Sequence, residues 1–60
     1  MKLKPNQVWQ VGQTYFTIVS VNENVIGYVW VNKCIRIYSI LYKNIYQFYK
    51  MLSGARCIKN

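Results

Sequence analysis

Apolar and polar positions alternate with a period of two as far as Tyr38 and then change period. From Val25 to Tyr38 the run VIGYVWVNKCIRIY carries Val, Ile, Tyr and Trp on both arms, with the polar pair Asn32-Lys33 at its middle. β-Branched and aromatic residues suit a pleated, half-buried surface, and Asn tolerates the left-handed backbone of a tight turn. The stretch therefore predicts a β-hairpin, with Lys33 standing where Gly is usual. That turn sets Trp30 opposite Ile35, Tyr28 opposite Ile37, and Gly27 opposite Tyr38, whose ring can lie across it. Ile26, Tyr28, Trp30, Ile35 and Ile37 then share the core face, while Val29, Val31, Cys34, Arg36 and Tyr38 share the other.

Ahead of the hairpin, residues 2–6 form a polar lead-in, and Pro5 has no N–H to give to a ladder, so strands are expected after it. Val8 to Val11 reads as a short strand ended by Gly12-Gln13. In Thr14 to Val21, TYFTIVSV, Phe16 and Ile18 alternate and the phase slips before Val21. A slip of one predicts a β-bulge near Val19-Ser20, a device that curls a sheet. Asn22-Glu23-Asn24 is the next turn, with Asn24 as its left-handed residue. A two-residue loop would bring Val19 and Thr17 beside Tyr28 and Trp30. A three-residue loop brings Ile18 and Phe16 there and is preferred, because it stacks Phe16, Ile18, Tyr28, Trp30, Ile35 and Ile37 in one layer.

Beyond Tyr38, Leu41, Ile45, Phe48 and Leu52 fall at i, i+4, i+7 and i+11, a helical seam. A helix over 40–52 follows, capped by Ser39 and ended by Ser53-Gly54, with Lys43, Gln47 and Lys50 on its far face. Residues 55–60 alternate weakly and predict a last strand beside the first. The expected core is Trp9, Phe16, Ile18, Val21, Tyr28, Trp30, Ile35, Ile37, Leu41, Ile45, Phe48 and Leu52.

Sixty residues make a single domain, 1–60, near the lower limit for independent folding. A 53% hydrophobic composition with six Tyr, two Trp and two Phe compensates, since aromatic side chains bury large areas. More apolar surface than one small domain can hide makes a homodimer a further expectation. Eight Lys or Arg against one acid give a net charge of +7, a field that favours anionic partners. The bland alternative is basicity for solubility alone. Frequent Asn, Ile, Lys and Tyr suggest an AT-rich coding sequence of phage or mobile-element type. No signal-peptide core and no membrane-length apolar run are present, so a cytoplasmic protein without membrane association is expected, its Cys34 and Cys57 reduced.

Catalysis is not expected. The chain has no His, no Asp and a single Glu, leaving general acid–base chemistry few candidate groups. Two Cys without His do not complete a mononuclear zinc site, and no cofactor is expected. Cys34 reads as a small packing residue. Two surfaces carry binding chemistry instead. On the predicted helix, Tyr42, Tyr46 and Tyr49 sit at i, i+4 and i+7, bordered by Lys43 and Lys50. Rings flanked by cations suit base stacking with phosphate neutralisation, or a protein hot spot; the same rings could simply widen the buried stripe. On the hairpin, Arg36 and Tyr38 lie on the outer face beside Val29 and Val31, with Lys33 near. Arg56, together with Lys2, Lys4 and Lys59, adds to the basic set.

The KPNQVW opening, the FTIVSV strand and the GYVWV–IRIY hairpin resemble a small SH3-like β-barrel of bacterial or phage type, with Asn6 where Gly is usual. The resemblance implies an α+β fold: a strongly curved antiparallel sheet of four to five strands with one C-terminal helix. It implies a binding module and no narrower function. Two functions are carried forward. One is nucleic-acid binding. The other is a small regulatory or inhibitory protein that grips an acidic host protein or a nucleoprotein complex through its tyrosines. A continuous basic face would favour the first, and cations scattered around an apolar patch the second.

Overall fold

Two left-handed residues turn the first three strands into a meander. The computed structural model describes residues 2–60. Gly12, at φ 59°, joins β1 (Val8–Val11) to β2 (Thr14–Asn22), and Glu23, at φ 56°, joins β2 to β3 (Val25–Val31). The second turn has two residues, since Asn22 pairs with Val25. Its left-handed residue is Glu23 and not Asn24. The predicted partners are nonetheless correct: Phe16 faces Trp30 and Ile18 faces Tyr28. The register shifts between Ile18 and Ser20, so a bulge at Val19 absorbs the residue assigned above to a longer loop.

Asn32-Lys33 does not make a two-residue turn. The Asn32 side-chain oxygen accepts from the backbone N–H of Cys34 (2.9 Å) and of Ile35 (2.8 Å), an Asx-type closure that widens the loop to residues 32–35. Val31 then pairs with Arg36, and the Ile37 N–H donates to the Trp30 carbonyl at 3.0 Å. Trp30 thus faces Ile37 rather than Ile35, which is 50% exposed. After this one bridge the chain leaves the ladder and returns to the same edge of β3 as β4 (Leu41–Asn44). Leu41 pairs with Tyr28 and Tyr42 with Gly27, so Tyr42 occupies the place expected of Tyr38.

The strand β4 replaces the first turn of the predicted helix. Helix α1 spans Ile45–Met51, capped by Asn44, whose side-chain oxygen accepts from the Tyr46 N–H at 2.9 Å; Ser39 plays no such part. The Ile45 N–H donates to the Asn24 carbonyl at 2.6 Å and ties the helix start to the β2–β3 turn. Open backbone groups along β3 offer residues 41–44 ladder bonds, and those outweigh the helical spacing of Leu41. Ile45, Phe48 and Leu52 keep their spacing and face inward. Gly54, at φ 75°, ends the turn after α1 as expected.

Strand β5 (Arg56–Lys59) pairs antiparallel with β1, giving one five-stranded sheet in the order β4-β3-β2-β1-β5. The two end strands do not pair with each other, so the sheet is open and not a closed barrel. The architecture is α+β. Phe48 is fully buried against Tyr28, with ring centroids 5.1 Å apart, and against Phe16 at 6.3 Å. Leu3, Trp9, Ile18, Ile26 and Leu52 complete the buried cluster. Phe16, Val21, Trp30 and Ile45 pack around it half-buried, whereas Ile35 and Leu41, both assigned to the core above, are exposed. Among the described residues, no helix is long and apolar enough to cross a membrane.

Leu3 is buried although the lead-in reads as polar, and Gln7 just after it is buried too. Asn6, at φ 74°, turns the chain into β1, a conformation Asn accepts more readily than other non-glycine residues. Its N–H donates to the Ile18 carbonyl at 2.8 Å, which draws the lead-in across β2.

Candidate functional site

Strand alternation sorts the side chains onto two faces. The helix packs its Phe48 on the face that carries Phe16, Ile18 and Tyr28, and Trp9 lies on that same face. The opposite face is crossed by continuous rows of paired residues. In one row Arg56 lies beside Gln10, Gln10 beside Tyr15, Tyr15 beside Val31, and Val31 beside Arg36. Next to it runs Lys59, Val8, Thr17 and Val29. Each row begins with a cation on β5, and the first also ends with one. Four steps between neighbouring strands separate Arg56 from Arg36, roughly 19 Å along the sheet.

Two hollows open on this face. The first, of 220 Å³, reaches the edge of β3 and is lined by Thr17, Val29, Trp30, Val31 and Ile37, with Arg36 and Tyr38 among its walls. Tyr38 is 81% exposed, so most of its ring is available to a ligand. The second, of 340 Å³, is lined by Gln10, Gln13, Tyr15, Asn32 and Lys33 and shares Val31 with the first. Gln10 steadies its floor, its side-chain N–H group donating to the Tyr15 hydroxyl (3.3 Å) and to the Gly12 carbonyl (3.1 Å). The only acidic side chain, Glu23, sits in the β2–β3 turn at the other end of that hairpin. Both hollows therefore lie in an electropositive field.

Of the nine residues expected to bind, Lys33, Arg36, Tyr38, Tyr42 and Arg56 fall on this face. Tyr42 is 64% exposed and stands beside Gly27, one row beyond the first hollow. The other four, Lys43, Tyr46, Tyr49 and Lys50, lie elsewhere. Lys43 pairs with Ile26 and is half-buried on the helix side of β4. Tyr46, 68% exposed, and Lys50 stand on α1, while Tyr49 is half-buried and packs against the core. The row Tyr42, Tyr46, Tyr49 does not exist as a helical stripe, because Tyr42 belongs to a strand. Sequence reasoning missed Tyr15, Gln10 and Gln13. The available signal was the phase of Tyr15, which alternates against Phe16 and Ile18 and so faces outward.

Cys34 and Cys57 are free and exposed, the Cys57 thiol donating to the Lys59 carbonyl at 3.3 Å. Among the described residues, no three of His, Cys, Asp or Glu come together as metal ligands. Tyr28 is 3% exposed, and burial disfavours its phenolate and pushes its pKa above the usual 10.0. It is a core residue and touches neither hollow. Comparison of the chain with protein-family models, curated proteins and solved structures finds no match.

Proposed function

We propose that the protein is a non-enzymatic, basic binding module that takes nucleic acid on the open face of its sheet. The observation that carries this reading is the row from Arg56 through Gln10, Tyr15 and Val31 to Arg36. It sets cations at the two ends of a surface whose middle is aromatic and apolar. Cations neutralise phosphates, and rings between them accept bases. Lys33 and Lys59 extend the cationic border. The strand order supports kinship with the small SH3-like barrels: a four-strand meander, a helix, then a last strand returning beside the first. On this reading the open seam between β4 and β5 is the departure from that type.

A second reading rests on Tyr46, which is 68% exposed on α1, away from the rows and next to the helix-side cations. It would serve a small regulatory protein that docks on an acidic host protein. The discriminating experiment is titration of labelled DNA and RNA oligonucleotides at low salt, using the intact protein, Arg36→Ala and Tyr46→Ala. Nucleic-acid binding on the open face predicts binding weakened by Arg36→Ala and unaffected by Tyr46→Ala. No binding of any oligonucleotide to a protein of charge +7 would end the first reading.

A further inference from the structure

We propose that the two hollows hold neighbouring unpaired bases, so that the face selects single-stranded over duplex nucleic acid; this rests on the function proposed above. The first hollow is smaller than the roughly 300 Å³ at which pockets for drug-sized ligands begin. At 220 Å³ it suits one planar ring. Its lining of Val29, Trp30, Val31 and Ile37, with Thr17 as the one small polar member, rewards a flat heterocycle more than a phosphate or a sugar. Tyr38 supplies a ring face at the rim, and Arg36 supplies a charge beside it for the attached phosphate. The hydroxyphenyl of Tyr38 is too exposed to serve the core.

Chemistry changes across the shared wall. Beyond Val31 the lining carries Tyr15, Gln13, Asn32 and Lys33, side chains that can stack on a base, bond to its edge and hold its phosphate. Adjacent hollows with a common wall at Val31 can take successive bases of one strand, one base per hollow. Bases in a duplex are stacked on one another and paired, so their faces cannot meet Tyr38 unless they are extruded at a cost. The acidic side chains of a peptide would find the cations, but they carry no aromatic face for the apolar hollow.

The test compares fluorescence anisotropy of labelled oligothymidylate, oligouridylate, an abasic strand of equal length and a duplex, at one low salt concentration. The base-bearing single strands should bind about 5- to 150-fold more tightly than the abasic strand, the range expected for one stacked base. Tyr38→Ala should cut that advantage to the part the second hollow supplies while leaving abasic affinity unchanged, and Tyr38→Phe should keep it in full. The exposure of Tyr38 leaves the fold intact in both variants. Lys33→Ala should weaken all strands alike. Equal affinity for abasic and base-bearing strands, or preference for duplex, would overturn the proposal while leaving polyanion binding standing. Failure to bind any of the four would instead remove the function beneath it. The two single-stranded arms show whether DNA or RNA is preferred.

Discussion

The Gln7 carboxamide joins the lead-in, the first strand and the last residue. Its oxygen accepts from the Lys4 N–H at 3.0 Å and the Trp9 indole N–H at 3.2 Å. Its nitrogen donates to the Lys2 carbonyl at 3.2 Å and to the Asn60 side-chain oxygen at 2.9 Å. Gln7 is 3% exposed, so removing the amide leaves a buried indole donor without a partner. Gln7→Ala should cost about 1–3 kcal/mol in urea unfolding, and an unchanged midpoint would show that water replaces the amide. Tyr28 adds a pH dependence whose sign follows from its burial. The folded pKa lies above the unfolded one, so between them the unfolded chain binds fewer protons than the native chain. Stability is then full below about pH 10 and falls as pH rises through the folded value. Tyr28→Phe should flatten that alkaline decline, and following unfolding midpoints against pH in both proteins tests it.

At the scale of elements, the β3–β4 pairing depends on the smallest residue in the sheet. A Cβ at Gly27 would stand 2.5 Å from the Ser20 hydroxyl oxygen and 3.1 Å from a ring carbon of Tyr42. The hydroxyl can rotate away, but the ring is constrained by the pairing of Tyr42 with Gly27. Gly27→Val should therefore cost about 1–3 kcal/mol and raise amide exchange first in residues 41–44. Uniform loss of protection across the sheet would contradict this. The same contact shows why some of the fold was legible and some was not. Strands β1 to β3 announce themselves by alternation, and the bulge at Val19 by its broken phase. Alternation cannot tell which later segment will claim the free edge of β3, and Leu41 is compatible with both helix and strand. Nor does it show that the Asn32 side chain accepts from two backbone N–H groups, which moves Ile35 out of the core. Of the proposed binding face, the outward placement of the hairpin members Arg36 and Tyr38 was legible. The contribution of Gln10 and Tyr15 was not, because it arises from pairing β1 to both β2 and β5.

At the scale of the molecule, the decisive variable is how the six cations beyond the lead-in, of eight in all, are shared between two faces. Lys33, Arg36, Arg56 and Lys59 surround the open face, while Lys43 and Lys50 lie on the helix side. A strand bound only across the open face meets the first four. Each phosphate neutralised on a single strand releases condensed counterions with a log–log salt slope of about −0.7, so four contacts give about −3. Engagement of all eight cations would give a slope nearer about −6. The open-face geometry therefore assigns different outcomes to different lysines. Arg36→Ala or Arg56→Ala should each flatten the slope by about 0.7, whereas Lys43→Ala and Lys50→Ala should leave it unchanged. All four changes lower the net charge equally, so a non-specific electrostatic attraction would respond to them equally. Affinities of the four variants for one single-stranded oligonucleotide, measured across a salt series, separate these outcomes. Equal flattening by helix-side and open-face variants would mean that the sheet rows do not define the binding path.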